Sequence, residues 1–285
     1  NRIMNPIIGT KNELRQQQRT NFTANANINY DISNDLKFNV RAGMNNRLTR
    51  NESFNNSKTF RGYPSAGNLK GVNGSFSDLD LNDWMNENTL TYRKKINKDN
   101  QFDITAGFTI QGTSASTYGF ESTNIPNEKL GLVALQLGIP SSVISYKSRN
   151  ALMSYLGRVN YNFKSKYLLT VSFRADGSSK FSPENRWGFF PSGAFAWQMG
   201  RENFMKNLRF VSESKLRVSY GITGNNRVGD FARYHSIDLS DYYSFSNETP
   251  AYAALINNLG NKDLRWEKTA QADIGYDLSL FKNKV

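Results

Sequence analysis

Six aromatic side chains stand in stretches of the sequence that carry no strand pattern. Flat rings offer stacking faces for sugar rings or hydrophobic side chains at a low entropic cost. They are candidates for contacts with a substrate or a partner protein, and packing of the loops against one another is an equally weighted alternative. The six residues are Tyr63, Tyr118, Tyr242, Tyr243, Phe245 and Tyr252.

Residues that could catalyse a reaction or hold a metal are sparse. His235 is the single histidine and cysteine is absent, and no nucleophile elbow accompanies that histidine. The acidic run 78–83 has oxygen atoms at alternate positions but lacks the glycine and the terminal glutamate of a calcium loop. Asp238 and Asp241 could serve acid–base chemistry, but a solvated loop is the favoured interpretation. The sequence predicts no enzyme activity, no cofactor and no metal site.

The strands that must position the loop aromatics are predicted by an alternation of apolar and polar residues. From 21 to 45, apolar residues such as Phe22 and Phe38 occupy one parity, and polar residues such as Asn29 and Arg41 occupy the other. Successive side chains of a strand point to opposite faces, so this segment predicts a hairpin with one dry and one wet face. Its two strands of about ten residues match the roughly 9–11 residues of a strand that crosses a bilayer.

The same pattern recurs along the chain and predicts nine strands. Pro191 should disturb its strand, because proline cannot donate to the ladder. Arginines on the wet parity should line a water-filled lumen and pair with acids such as Asp103 and Asp176, or with a plug. Those arginines are Arg41, Arg158, Arg174 and Arg217. The predicted strands lie at 21–30, 36–45, 85–94, 101–113, 150–163, 167–176, 187–199, 215–223 and 264–278.

The connections between these strands alternate in length. Turns at 31–35, 95–100 and 164–166 are short, whereas loops at 46–84, 114–149 and 225–263 are long. Outer-membrane barrels have short periplasmic turns and long extracellular loops, and aromatics near the short turns suit an interfacial girdle. Short helices are expected at 128–137 and 202–208. Since single-chain barrels usually close with an even number of strands, nine strands predict an internal portion of a larger barrel.

Composition agrees with a barrel and argues against other classes. The 285 residues are 38% hydrophobic, and mean hydropathy is −0.62. The sequence contains no run of about 18 apolar residues, which a membrane helix would need. The net charge of +12 is dispersed without a nucleic-acid-binding motif, so no nucleic-acid partner is predicted. It suits a lumen wall or contact with lipopolysaccharide and other outer-membrane lipid. The first residues do not form a signal peptide, which favours an internal segment.

Three blocks in the second half of the chain carry a family resemblance. Residues 154–192 read SYLGRVNYNFKSKYLLTVSFRADGSSKFSPENRWGFFPS, residues 215–225 read KLRVSYGITGN, and residues 264–269 read LRWEKT. In order and spacing they resemble the SusC/RagA family of TonB-dependent outer-membrane transporters. The blocks cover about residues 150–285, and the first half of the chain fits by pattern alone.

The resemblance implies a 22-stranded transmembrane antiparallel β-barrel, of which residues 1–285 would form part of a single domain. It implies location in the bacterial outer membrane and active import of an oligosaccharide, or sometimes a peptide, across that membrane. It further implies a SusD-like surface lipoprotein that closes over the mouth, and energy from the TonB complex. The plug, the TonB box and the barrel closure are expected outside this chain.

Two other functions remain open from the sequence. One is a passive, porin-like or structural outer-membrane barrel, which differs from the importer in needing no TonB complex. The other is a soluble β-sandwich binding module, which would be recovered outside the membrane. For the importer, the loop aromatics are expected to bind substrate, to contact the lipoprotein lid or to pack the loops.

Overall fold

The computed structural model describes residues 6–208, 210–244 and 251–281. They form a short helix, α1 (Pro6–Asn12), eleven β-strands and several 3₁₀ segments. No helix among the described residues is long and apolar enough to span a membrane. The strands are β1 (Glu13–Asp31), β2 (Leu36–Asn55), β3 (Asn73–Lys95), β4 (Asn100–Thr123), β5 (Ile139–Phe163), β6 (Tyr167–Ser178), β7 (Trp187–Trp197), β8 (Val211–Asn225), β9 (Ser236–Tyr243), β10 (Ala251–Asn258) and β11 (Glu267–Leu280).

Nine strands form one sheet, in the order β1-β2-β3-β4-β5-β6-β7-β8-β11. Each of them overlaps one of the nine predicted strands, which confirms the all-β prediction. The prediction at 187–199 runs past the end of β7, and the one at 264–278 begins before β11. The remaining two, β9 and β10, pair antiparallel in a sheet of their own. This hairpin lies within the predicted loop 225–263 and was missed. Its strands are eight residues each and their register shifts twice, so the alternation is too short and irregular to stand out.

The first five strands are much longer than predicted. β1 to β5 contain 19, 20, 23, 24 and 25 residues, so they take up much of the predicted loops 46–84 and 114–149. On β2, the apolar parity that ends at Met44 continues with Asn46 and Arg50. Both faces become polar there, and the alternation that identifies the strand disappears although the strand continues.

The chain divides into two compact units. Unit 1 consists of the described residues of Asn1–Asn25, Gly43–Trp84 and Thr113–Arg149. Unit 2 consists of those of Ala26–Ala42, Met85–Gly112 and Asn150–Val285. Strands β1 to β5 contribute residues to both units, whereas β6 to β11 belong to unit 2 alone.

In unit 2, the register aligns side chains of one chemistry across five strands. Rows of apolar side chains alternate with rows of mainly polar side chains along the strands, so this part of the sheet has an apolar face and a polar face. One apolar row joins Tyr161, Leu169, Phe195, Val218 and Ile274. The adjacent row is polar except for the small Ala194, and it joins Asn160, Thr170, Ala194, Ser219 and Asp273.

Pro191 does not produce the expected irregularity. It pairs with Phe173 of β6, and the β6–β7 register passes through it without a shift. The β7–β8 ladder runs from Ser192 to Trp197, so Pro191 stands next to its end. A missing N–H removes no ladder hydrogen bond with β8 there.

Two 3₁₀ turns within Glu128–Leu137 cover a small hydrophobic core in unit 1. They are separated at Gly131, whose φ of 58° and ψ of −136° are not helical, so the helix predicted for 128–137 is present only with this interruption. Ala134 and Leu135 pack in this core with Phe54 and Ile125. A Cβ on Gly74 would lie 2.9 Å from Leu135 Cδ2, so glycine is needed for this close approach.

The start of this segment is fixed by a carboxylate. Glu128 accepts hydrogen bonds from the backbone N–H of Ser57 at 2.7 Å and from the Ser57 hydroxyl at 3.0 Å. The bond from the backbone N–H is the main cause that lowers the pKa of Glu128, followed by the bond from the hydroxyl.

The connection between β7 and β8 holds a polar cluster around Glu202. Its carboxylate accepts from Lys166 Nζ at 2.6 Å, from the Tyr167 hydroxyl at 2.7 Å and from Trp197 Nε1 at 3.2 Å. These bonds, the one from Lys166 first, lower the pKa of Glu202 to about 2. The helix predicted for 202–208 is wrong in extent, because the segment contains only the 3₁₀ turn Asn203–Met205 after another at Met199–Arg201.

Candidate functional site

A cavity of about 780 Å³ lies in unit 1, where the loop 56–72 joins β2 to β3; we call it the loop cavity. This volume falls within the roughly 300–1,000 Å³ of small-molecule sites. The strands contribute polar side chains to its wall, and the loop contributes rings and cations. Its lining includes Ser53, Asn55, Asn73, Ser75, Phe60, Arg61, Tyr63, Lys70 and Glu121.

The loop is held by its own hydrogen bonds in the shape that forms the cavity. The Thr59 hydroxyl donates to Asn56 O at 2.8 Å and accepts from Gly62 N at 2.9 Å. A Cβ on Gly62 would lie 2.1 Å from Asn56 O, so no other residue fits this turn. The carbonyl oxygen of Arg61 accepts from the side-chain amides of Asn68 at 3.0 Å and Asn73 at 2.9 Å. The backbone at Arg61 is therefore fixed on both sides.

The cavity lining combines stacking surfaces with charge. Phe60 is 73% exposed and Tyr63 is 38% exposed, so both rings offer area to a ligand. Lys70 Nζ pairs with Glu121 at 2.8 Å. No described side chain pairs with the Arg61 guanidinium, which leaves one uncompensated positive charge in the lining.

Asn55 adds a buried polar atom to the cavity wall. Its amide nitrogen donates to Asn73 Oδ1 at 2.9 Å. Its Oδ1 accepts no hydrogen bond from any group that the structure describes, although the residue is only 5% exposed. A buried acceptor without a donor costs about 1–3 kcal/mol, so such atoms usually have a functional explanation.

The strand residues that line the cavity belong to a ladder of polar side chains on β2. Asn45 accepts from the Thr23 hydroxyl at 2.9 Å, and Asn51 accepts from Gln17 at 2.7 Å. Ser53 bonds Ser75 at 2.8 Å, next to the Asn55–Asn73 pair. Asn45 has the parity that the sequence predicts for the lumen, and Asn51, Ser53 and Asn55 share that parity.

Tyr118 has the opposite parity on β4 and lies apart from Tyr63. It lines a smaller cavity of about 280 Å³ together with Arg50 and Asp78. Arg50 binds Asp78 through two hydrogen bonds of 2.8 Å. Of the predicted aromatics whose side chains the structure describes, only Tyr63 lines the loop cavity.

The remaining predicted aromatics lie in or near the β9–β10 hairpin of unit 2. Tyr242 and Tyr243 are on β9 and are 60% and 58% exposed. Tyr252 pairs with Tyr242 across the hairpin, but its side chain is outside the described part of the structure. Phe245 lies outside the described residues altogether.

The four predicted arginines find acidic or polar neighbours. Arg41 lies 4.0 Å from Glu87, and Arg158 is opposite Ser172 in the register. Asp103, the other acid expected to pair with them, binds Arg93 at 2.9 Å instead. Arg174 Nε donates to Asp176 at 2.7 Å, and Arg217 binds Asp277 through two bonds of 2.8 Å.

Unit 2 contains a buried cluster that the sequence reasoning missed. Phe181, Phe190 and Trp266 pack together, and we call them the aromatic knot. The Trp266 ring lies 5.3 Å from Phe190 and 5.5 Å from Phe181, and its Nε1 donates to Arg186 O at 2.9 Å. Each of the knot residues lies in or beside one of the three sequence blocks that carry the family resemblance, which is the signal that could have located it.

Polar contacts extend the knot to the loop that follows β8. Lys180 Nζ lies 3.4 Å from Asp230 and donates to Val228 O at 3.0 Å. Arg233 donates to Phe181 O at 2.7 Å. The knot therefore fixes both ends of the segment that carries β9 and β10, because Trp266 lies just after it. Among the described residues, no group of three or more His, Asp or Glu side chains could hold a metal ion.

Comparisons with known proteins give one consistent result. A family model described as "TonB dependent receptor-like, beta-barrel" matches residues 4–285. A TonB-dependent receptor of Formosa agariphila is 34% identical over 289 residues, which cover 99% of this chain and 26% of that protein. The TonB-dependent receptor SusC of Bacteroides thetaiotaomicron is 38% identical over 143 residues, which cover 50% of this chain and 14% of SusC.

A solved structure agrees with these matches at the level of the fold. A chain of the RagAB peptide transporter superposes with a TM-score of 0.80 at 22% identity, over 96% of this chain and 30% of that chain. The matches confirm the resemblance identified in the sequence. The chain spans less than a third of each of these three proteins.

Proposed function

Because this chain belongs to the TonB-dependent receptor-like β-barrel family of the outer membrane, we propose that it is a section of an active nutrient importer. The cargo would be an oligosaccharide, or alternatively a peptide. The observation that carries the proposal is the loop cavity, whose strand residues have the parity predicted for the lumen. A ligand held there by Phe60 and Tyr63 would stand at the polar side of the sheet, where a hydrophilic cargo has to pass.

The proposed importer has two partners besides its cargo. A SusD-like lipoprotein would close over the long loops, and the exposed Tyr242 and Tyr243 of the β9–β10 hairpin are candidate contacts for it. A TonB complex would supply energy through parts of the parent protein other than residues 1–285. We also propose that these residues form part of one barrel domain, whose apolar face contacts outer-membrane lipid and lipopolysaccharide.

The proposal is supported by residue chemistry that favours binding over free diffusion. A passive pore needs a polar wall but no built pocket, whereas the loop cavity combines exposed rings with an uncompensated cation and a buried acceptor. Binding before translocation is what a transporter of dilute nutrients requires. An enzyme would need a set of converging acid, base or nucleophile groups, and the lining does not bring such a set together.

Uptake of labelled oligosaccharides and peptides by cells that carry the parent protein tests this proposal. We expect accumulation against a gradient that disappears when the TonB complex is deleted. The matched control is a general porin in the same cells, whose permeation does not depend on TonB. Accumulation that persists without TonB would reject active import and favour the passive barrel.

A further inference from the structure

We infer that the loop cavity is a subsite for a carboxylate-bearing oligosaccharide, in which Arg61 binds the carboxylate and Phe60 stacks on the sugar ring. This inference rests on the proposed function, because it names the class of cargo that the importer would take. It concerns unit 1 alone.

The charge of the cavity selects for an anionic ligand. Lys70 is neutralised by Glu121 at 2.8 Å, but no described side chain neutralises Arg61. A guanidinium presents a planar fork of donors that matches a carboxylate with two parallel hydrogen bonds. The side-chain amides of Asn68 and Asn73 donate hydrogen bonds to the Arg61 carbonyl oxygen. The backbone of Arg61 is therefore fixed before a ligand binds to its guanidinium.

The rest of the lining suits a sugar better than a peptide. The 73% exposed Phe60 ring offers a flat apolar surface, and hydroxyl and amide groups surround it. The Ser53 and Ser75 hydroxyls bond each other and keep acceptor capacity for ligand hydroxyls. An extended peptide would need a row of backbone partners, and the loop carbonyls named above are already bonded within the loop.

The test uses the purified full-length parent protein and two probes, short oligogalacturonate and short oligomannuronate. Each probe is compared with its carboxyl-reduced, neutral counterpart by titration calorimetry. We expect at least one uronate probe to bind about tenfold or more tightly than its neutral counterpart, as one charge-assisted bidentate contact implies. The substitution Arg61→Ala should abolish that preference, because it weakens binding of the uronate about tenfold more than binding of the neutral sugar.

Lys58→Ala is the matched control. Lys58 is an exposed cation of the same loop that does not line the cavity, so its removal lowers net charge equally without touching the subsite. Phe60→Ala should weaken the charged and the neutral sugar alike, because stacking does not depend on the carboxylate. Unchanged thermal transitions of the variants would show that they are folded.

Several results would overturn the inference. These are equal affinity for charged and neutral sugars, equal effects of Arg61→Ala and Lys58→Ala, or tighter binding of an acidic peptide than of both uronates. The outcome is separable from that of the proposed function. Arg61-dependent binding together with TonB-independent uptake would reject active import and keep the subsite, and TonB-dependent uptake without an Arg61 effect would do the reverse.

Discussion

Trp266 and Arg186 stand 80 positions apart in the sequence and are joined by a hydrogen bond of 2.9 Å from the indole Nε1 to the carbonyl oxygen. Phe190 meets the same indole edge-on, with an interplanar angle of 68°. This contact brings the sequence blocks around 186 and 266 into one buried cluster. Residues of two of the sequence blocks that carry the family resemblance therefore support a long loop.

The aromatic knot should be a main source of stability in unit 2. Trp266 is only 7% exposed, so Trp266→Ala should cost about 3–5 kcal/mol through a lost ring and a cavity. Trp266→Phe keeps most of the ring and loses the hydrogen bond, which should cost less. The thermal transition of the parent protein measures both. Leu259→Ala, at a 72% exposed residue of the same loop, is the control and should change little.

Close packing against the knot makes Gly224 sensitive to any side chain. A Cβ at this position would lie 2.1 Å from Phe190 Cζ, so Gly224→Ala should displace the ring and cost about 1–3 kcal/mol. Gly157→Ala is the matched substitution, because nothing lies within 4 Å of a Cβ there. Equal thermal transitions for the two variants would contradict the packing described here.

Much of this architecture can be predicted from sequence, and the failures have physical causes. Alternation located all nine strands of the sheet, because residues such as Phe173 and Arg174 must face different surroundings. It could not show that β2 continues beyond Met44, since both parities are polar there. Contacts such as Trp266 with Arg186 join distant segments and leave no local pattern.

The Glu202 cluster should make the β7–β8 connection sensitive to acid. The folded-state pKa of Glu202 is about 2, below the 4.5 that is ordinary for a glutamate, so its stabilising contribution is present above pH 4.5 and is lost as pH falls toward 2. Glu202→Gln should remove this contribution and flatten the acid dependence of stability in that window.

Acid titration of the thermal transition for the native protein and Glu202→Gln measures the difference directly. Glu184→Gln, at an exposed carboxylate before β7, serves as the control and should follow the native curve. A native curve and a Glu202→Gln curve that remain parallel between pH 2 and 4.5 would show that Lys166, Tyr167 and Trp197 do not hold the carboxylate as described.

Tyr63 and Tyr118 should differ in their effect on ligand affinity. Tyr63 lines the loop cavity, whereas Tyr118 lines the smaller cavity on the opposite parity. Loss of one stacking ring is worth about 0.5–1.5 kcal/mol, so Tyr63→Ala should weaken cargo binding by about threefold to tenfold. Tyr118→Ala should leave the affinity unchanged. Calorimetric titration with the same sugar probes decides between this assignment and one in which both tyrosines only pack the loops.

The central claim is that the apolar face of the sheet contacts lipid while the polar face lines water. The chain has no cysteine, so spin labels can be placed on single-cysteine variants at successive positions of β6 from Leu169 to Arg174. Collision rates with oxygen, which dissolves in lipid, and with a water-soluble nickel chelate are then measured in native-like membranes. We predict that the collision rates alternate with a period of two residues. Collisions with oxygen should be favoured at Leu169, Val171 and Phe173, and collisions with the nickel chelate at the residues between them. Collision rates without alternation, or with the opposite phase, would contradict it.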